Sequence, residues 1–364
     1  MPGFTSALYL GLGHAHAALR PWERLTSGMP AALAPPEGAR AVAGALAGLA
    51  GLEAAVLGTS TLHLFWDLFG QVRRGPLRIL ADASLYPVGR WGIERAAAAG
   101  VEVETFPHHD AGALARRLAR LARLAQEDRR RPRRPPAPLV VTDGLCLDCG
   151  RVAPLGRYLA LVEARGGWLV LDDSQALGLL GGGPAPGRPY GRGGGGSPAF
   201  LGVASPRLLT ISSLAKSFGA PLAMLGGPRE AVRRFARRSE TQVYSSPPAV
   251  VAVRAAEAAL AANRERGDVL RARLAASVLR FRRRLAAAGL GARGGMSPVQ
   301  DLELPPGVDA AALHRRLREA GVAAVLRRGT CRPGPLLSFV LRADHEPQDV
   351  EGAAAALIRL LRSG

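Results

Sequence analysis

Short apolar runs alternate along this chain with longer stretches whose apolar residues return every three or four positions. The runs fall at 54–57, 77–81, 101–106, 138–142, 168–172, 207–211 and 222–225. Runs without polar alternation fit strands buried on both faces, and the stretches between them fit amphipathic helices. This alternation predicts an α/β fold with a mostly parallel central sheet covered by helices. A helix is expected from about Pro36 into the first strand. Helical spacing from Pro247 to about Ala288 predicts one long helix or two joined ones. Runs at 300–304, 322–325 and 336–341, with a final helix from Gln348, read as a small α+β domain. The expected organisation is an N-terminal arm over 1–40, a large domain over 41–250, a connecting long helix over 251–292 and a small domain over 293–364. The glycine- and proline-rich segment 181–197 is expected to be a flexible inserted loop.

Composition narrows the function classes. At 364 residues, 48% hydrophobic and 21% charged, the chain can bury a large core. No window reaches the roughly 18 uninterrupted apolar residues of a membrane span. The first residues lack the layout of a signal peptide, so a cytoplasmic protein is expected. A net charge of +19 invites a nucleic-acid reading. The basic residues are spread over helical patterns such as 113–124, however, and aromatics amount to 5%, which leaves few platforms for base stacking. The densest basic run, Arg129 to Arg134, reads as an exposed loop, and no nucleic-acid partner is expected. Cys146-Leu-Asp-Cys149 has the spacing of a zinc or redox pair, but the sequence offers no second pair, so no metal site is expected. His14 and His16 read as solvated turn histidines.

The basic residues carry a sharper signal. Of 48, 47 are arginine, and Lys216 is the single lysine. Guanidinium stays protonated, whereas a desolvated ε-amine can lose its proton and attack an aldehyde. Lys216 lies in Leu208-Leu-Thr-Ile-Ser-Ser-Leu-Ala-Lys-Ser-Phe-Gly219, just past the carboxyl end of an expected strand. Ligands bind at such ends in parallel α/β sheets. A second expected strand, Trp168-Leu-Val-Leu-Asp-Asp173, closes on carboxylates. A strand-end carboxylate can pair with the protonated pyridine nitrogen of pyridoxal phosphate (PLP) and keep its ring an electron sink.

At these residues the chain resembles the α-oxoamine synthase group of fold-type I PLP-dependent enzymes. The resemblance is carried by Leu171-Asp-Asp-Ser-Gln-Ala-Leu-Gly178, Ser213-Leu-Ala-Lys-Ser-Phe-Gly219 and Tyr244-Ser-Ser-Pro-Pro248, with Val141-Thr-Asp-Gly144 and Ala153-Pro-Leu155 upstream. It implies that Lys216 forms the internal aldimine, that Asp172 binds the pyridine nitrogen and that Tyr86 stacks on the ring where the family has histidine. It also implies that Ser213 and the segment Ser60-Thr61-Leu62 hold the phosphate. Ser245 and Ser246 fall where the partner subunit of a homodimer donates a hydroxyl. The implied reaction condenses an amino acid with an acyl thioester, such as acyl-CoA, through a quinonoid carbanion.

Three departures bear on the substrate. Gln175 replaces a histidine that touches the cofactor's phenolic oxygen, and it can donate a hydrogen bond but not shuttle a proton. Leu336-Leu-Ser338 stands where the family's strand binds the substrate carboxylate with arginine, leaving Arg327, Arg328, Arg332 or Arg342 as substitutes. Thr26-Ser-Gly-Met-Pro replaces a glycine-rich segment. These departures keep an alternative open: an aminotransferase, or another PLP-dependent lyase or replacement enzyme, on the same scaffold.

Overall fold

The computed structural model describes residues 3–23, 25–26, 28–72, 77–127, 137–331 and 334–362. The arginine run 129–134 and Arg332 lie outside the described residues. A seven-stranded sheet is built from β1 (Ala54–Gly58), β2 (Leu77–Asp82), β3 (Val103–Phe106), β4 (Ala137–Asp143), β5 (Trp168–Asp172), β6 (Leu208–Ser213) and β7 (Ala223–Gly227). Its order is β1-β7-β6-β5-β4-β2-β3, with β7 antiparallel to both neighbours and all other pairs parallel. A second, antiparallel sheet runs β10-β11-β9-β8, from β8 (Gly291–Arg293), β9 (Val299–Glu303), β10 (Val325–Arg328) and β11 (Pro335–Val340).

The helices are α1 (Ala39–Leu49), α2 (Thr61–Gly70), α3 (Pro87–Ala98), α4 (Ala111–Glu127), α5 (Leu155–Glu163), α6 (Ser197–Leu201), α7 (Arg229–Arg238), α8 (Glu240–Tyr244), α9 (Val250–Ala286), α10 (Ala310–Glu319) and α11 (Pro347–Arg362). Successive strand residues point to opposite faces, and the core shows it. Val141, Val170 and Ile211 pack with Phe65 and Phe69 of α2, Ile93 of α3 and Phe235 of α7. On the other face Val140, Leu169 and Leu171 pack with Leu114 and Leu118 of α4 and Tyr158 of α5. Burial on both faces explains why these strands read as unbroken apolar runs.

The strand bounds differ from the sequence expectation mainly in the small domain. β10 begins at Val325, where the run 322–325 was expected to end, and it continues through Leu326-Arg327-Arg328. The polar half of this strand hid it, because Arg327 faces buried carboxylates instead of solvent. The segment between Pro247 and Ala288 forms one helix of 37 residues, α9. The arm is more than a few turns. Its Phe4, Tyr9, Leu10 and Leu12 are buried. The Phe4 amide donates to the Ala323 carbonyl (2.9 Å), its carbonyl accepts from the Val340 amide (2.9 Å), and the Tyr9 carbonyl accepts from the Ala343 amide (2.8 Å).

The segment 181–197 is not a free loop, which corrects the expectation of flexibility. It folds back on itself through bridges Leu177–Gly195, Gly182–Arg192 and Ala185–Arg188. Gly191 and Gly194 take positive φ, and a Cβ at either would sit 2.0–2.8 Å from backbone atoms of Gly181 or Gly178. Helix α9 holds the hairpin. Arg271 donates to the Gly178 carbonyl (2.7 Å) and to Asp268 (2.6 Å), Asn263 donates to the Gly193 carbonyl (2.8 Å), and Asp268 accepts from the Gly193 amide (2.9 Å). Replacing Arg271 with alanine strands the buried Gly178 carbonyl and Asn263. A loss of about 2 kcal/mol is expected, read as a lower urea midpoint with unchanged slope.

Candidate active site

Four strand-end segments converge at the carboxyl edge of the parallel sheet, where β2 ends in Asp82, β4 in Asp143, β5 in Asp172 and β6 in Ser213. Asp143 and Asp172 are direct register partners on adjacent strands, and Asp172 pairs in turn with Ile211 of β6. The Ser174 amide donates to Asp172 (3.0 Å), and the Ser174 hydroxyl accepts from the Ser213 amide (3.0 Å). That bridge ties the turn after β5 to the one after β6, where Lys216 lies. The Lys216 turn closes through the Leu214 amide on the Leu222 carbonyl (2.9 Å) and the Ala220 amide on the Leu214 carbonyl (3.1 Å). Gly219 sits at φ +61° with the Leu12 carbonyl 3.0 Å from any added Cβ, so glycine is required there. His14 of the arm donates to the Gly219 carbonyl (3.2 Å), so it is not the free solvated histidine expected from sequence.

Electrostatics follow from this packing. Burial pulls the Lys216 ammonium below its ordinary value, and the Asp172 charge opposes that pull. Burial raises the Asp172 carboxyl, while hydrogen bonds from Ser174 and the charge of Lys216 act the other way. Asp143 is raised well above the ordinary carboxylate range, by desolvation first and by the neighbouring Asp172 second. Two adjacent carboxylates cannot both ionise cheaply without a cation between them. The neighbouring Asp173 is pushed up to about 7 by burial. It is a structural acid, accepting from the Ser197 amide (3.0 Å) and hydroxyl at the end of the glycine hairpin.

Tyr86 caps α3, 39% exposed, with its amide on the Asp143 carboxylate (3.1 Å). Gln175 accepts from the Tyr9 hydroxyl. The Tyr9 phenol is raised by burial, is lowered by the Arg327 charge and feels Tyr86, so the four side chains form one neighbourhood. Ser60 is the N-cap of α2 and accepts from the His63 amide (3.4 Å). Thr61 and Leu62 then begin the helix, and their amides have no partner within it, as an anion site at a helix start requires. Ser213 accepts from the Ala215 amide (3.3 Å). On the opposite side Asp67 of α2 accepts from the Thr241 amide (3.2 Å) and hydroxyl (2.6 Å), fixing α8. The hydroxyl of Ser245, just beyond α8, donates to the Thr241 carbonyl (2.5 Å), and Ser246 is exposed.

Arg327 corrects one expectation. It reaches across from β10 to Ser338 of β11 (3.0 Å), so it supplies the cation missing from Leu336-Leu-Ser338. Its guanidinium is already bound, bidentate on Asp301 (2.7 and 2.8 Å) and also on Asp148. It is therefore a structural cation and no free carboxylate clamp. Arg342 pairs with Asp344 (2.8 Å), and Arg328 is exposed. Tyr9 and Asp143 were not singled out from sequence. The one was read as part of an arm, and the other stood without a role in Val141-Thr-Asp-Gly144, although it closes a strand just as Asp172 does.

The donor set fits an aldehyde cofactor with a pyridine nitrogen and a phosphate. It combines a desolvated amine, a buried carboxylate on the adjacent strand end and an open helix start. The comparisons with known proteins agree. The model of the family "Aminotransferase class I and II" matches residues 32–357. The 8-amino-7-oxononanoate synthase of Sodalis glossinidius is 31% identical over 86% of this chain and 74% of its own length. That of Alcanivorax borkumensis is 32% identical over 71% of this chain, which spans 61% of that relative's length. A serine palmitoyltransferase variant from S. paucimobilis, solved with a bound PLP–myriocin aldimine, superposes with a TM-score of 0.83 at 18% identity, over 99% of this chain and 87% of that one.

Lys216 provides a direct test of the electrostatics. As the single ε-amine it can be followed by peptide-resolved mass spectrometry of acetylation in cofactor-free protein. Its labelling midpoint is expected below 10.5. In Asp172→Asn it should fall further, because the carboxylate that helps the amine keep its proton is gone.

Proposed function

We propose, because the chain belongs to the aminotransferase class I and II family and within it to the α-oxoamine synthase group, that it is a PLP-dependent acyltransferase joining an amino acid to an acyl thioester. The observation that carries this reading is the half-buried Lys216, in the turn after β6, within electrostatic reach of the buried Asp172 at the end of the adjacent β5. When bound, PLP supplies an electron sink for the carbanion that such a condensation needs at the amino acid's α-carbon.

The chain's own residues then have distinct tasks. Lys216 would hold the cofactor's aldehyde through its ε-nitrogen and would serve as the base for the α-proton. A depressed amine suits both tasks, because it is unprotonated for a larger share of molecules near neutrality. Asp172 keeps a negative charge opposite the pyridine nitrogen. Asp143 holds the Tyr86 backbone through its amide, and the phenol would stack on the ring. Gln175, held by Tyr9, would offer its amide N–H to the cofactor's phenolic oxygen. Ser213 and the start of α2 at Ser60, Thr61 and Leu62 receive the phosphate.

A homodimer is part of the same proposal, with Ser245 and Ser246 serving the partner's phosphate site. Tyr244 is 86% and Leu33 75% exposed, and Leu62 and Trp66 are exposed apolar side chains as well, which supports apolar surface for a second copy. Among the described residues no helix is long and apolar enough to cross a membrane.

The neutralised Arg327 leaves the substrate carboxylate to be met by another cation, such as the exposed Arg328. Purified PLP-loaded protein should release free thiol from an acyl-CoA panel with at least one amino acid. Lys216→Arg should lower that rate by about 10³-fold or more while leaving the circular dichroism unchanged. Loss of the cofactor's visible absorbance with an amino donor alone, without thiol release from any pair, would place the chain in the transamination branch instead.

A further inference from the structure

Three segments far apart in sequence meet behind the Tyr86 loop. Cys146 and Cys149 lie in the turn between β4 and α5. The turn is closed by the Cys146 amide on the Arg151 carbonyl (3.0 Å) and the Gly150 amide on the Cys146 carbonyl (3.0 Å). The Cys149 amide points at the Cys146 sulfur (3.5 Å). Gly150 holds φ +67°, and a Cβ there would lie 2.0 Å from the Gly294 carbonyl oxygen. This is a tight knuckle that turns both sulfurs the same way. His108, between β3 and α4, brings Nε2 to 3.4 Å from the Cys149 sulfur. Cys331 arrives from the small domain, in the connection between β10 and β11. Its amide donates to Asp148 (2.8 Å), one of the two residues between the cysteines of the knuckle. The ligating atoms of His108, Cys146, Cys149 and Cys331 all lie within 4.8 Å of one another.

We propose that these four side chains form a structural zinc site that clips the small domain to the large one. Spacing in sequence offered two ligands, and the fold supplies the other two. A tetrahedral Zn²⁺ with sulfur at about 2.3 Å and nitrogen at about 2.0 Å places its ligand atoms roughly 3.5–3.8 Å apart. The cluster needs only a small contraction to reach that geometry. Three sulfurs and an imidazole are a soft donor set that suits zinc and disfavours magnesium or calcium. Four protein ligands leave no open position, so the site is structural and not catalytic.

Two features separate a metal site from a chance meeting of thiols. The first is the support behind His108. Its Nδ1 bonds to Asp82 (2.9 Å), which leaves Nε2 as the nitrogen facing the sulfurs. Asp82 is buried and also accepts from the Ser84 amide (2.8 Å) and the His109 amide (2.9 Å), so the carboxylate cannot swing away. A carboxylate–histidine–metal relay of this kind orients zinc-binding imidazoles. The second is the odd number of thiols. A disulfide would use two and leave the third cysteine and the aimed imidazole without a role, whereas one cation uses all four groups. Three thiolates and Zn²⁺ leave one negative charge, and Arg151 lies hydrogen-bonded against Cys149 to offset it.

Asp82 joins this clip to the reaction centre, because Ser84 and Tyr86 follow it on the same turn. The small-domain side is anchored by Asp148, which holds Arg327 and the Thr330 hydroxyl (3.1 Å). Metal binding thus fixes both the loop that carries Tyr86 and the strand that carries Arg327.

The test uses the full chain loaded with PLP, produced with zinc in the medium and kept reduced. Elemental analysis should find about one zinc per chain. After removal of zinc under reducing conditions, Co²⁺ should give tetrahedral visible bands with thiolate-to-cobalt charge transfer. Cys331→Ser and His108→Ala should each cut retained zinc at least tenfold. Asp82→Asn, a positioning change, should weaken zinc affinity by about 10–100-fold while a stoichiometric site remains. If the variants fail to fold, the cobalt spectrum of the reduced wild type decides the matter. Reduced wild type that takes up neither zinc nor cobalt, or cobalt bands without a thiolate transition, would overturn the proposal. So would a native disulfide between two of the three cysteines in protein never exposed to oxidant.

Discussion

A half-buried amine lies within electrostatic reach of one buried carboxylate, itself beside a second, at the carboxyl edge of the large sheet, and most of the molecule serves to hold them there. Lys216, Asp172 and Asp143 belong to three adjacent strand ends. Burial acts against the charge on each of them. Such an arrangement persists only if the surrounding structure prevents the groups from turning outward to water. The Ser174–Ser213 bridge, the closed Lys216 turn and Gly219 against the Leu12 carbonyl supply that restraint. The two-sided apolar core behind them makes the sheet rigid. The cost of desolvation is thus offset by packing over a large area, and a cation placed between the carboxylates would relieve their mutual repulsion.

Much of this was legible in the sequence, for identifiable reasons. The strand Trp168–Asp172 was bounded correctly because it is buried on both faces and ends where charge begins. Lys216 stood out because arginine fills the other basic positions. What escaped had polarity or distance on its side. β10 was misplaced because Arg327 lies inside it and is paired with Asp148 and Asp301, a pairing visible only in three dimensions. β8 has three residues, one of them glycine, and no apolar run to announce it. Tyr9 was unremarkable until its hydroxyl met Gln175. The hairpin over 181–197 has the composition of a disordered linker, yet its glycines serve close backbone approach and Arg271 ties it down.

The small domain is tied to the large one by polar and ionic contacts as well as by the shared hydrophobic cluster along α9. Asp148 sits at the join. It accepts from Arg327, Thr330 and Cys331 while belonging to the turn that follows β4. Burying that carboxylate is tolerable only because it is so fully hydrogen-bonded. The departures at Gln175 and at Leu336-Leu-Ser338 fall in this same region. Two of the departures from the family pattern therefore lie where the two domains meet.

The strap formed by the first residues has a kinetic consequence. Phe4 is hydrogen-bonded to Val340, and Tyr9 to Ala343, so nearly the whole chain separates the partners. Loop closure of that span is slow and entropically costly compared with local contacts. The segment that delivers Tyr9 to Gln175 can dock fully only once the last strand is in place. The sheet and its strand-end acids can form earlier, but the finished pocket is a late product of folding.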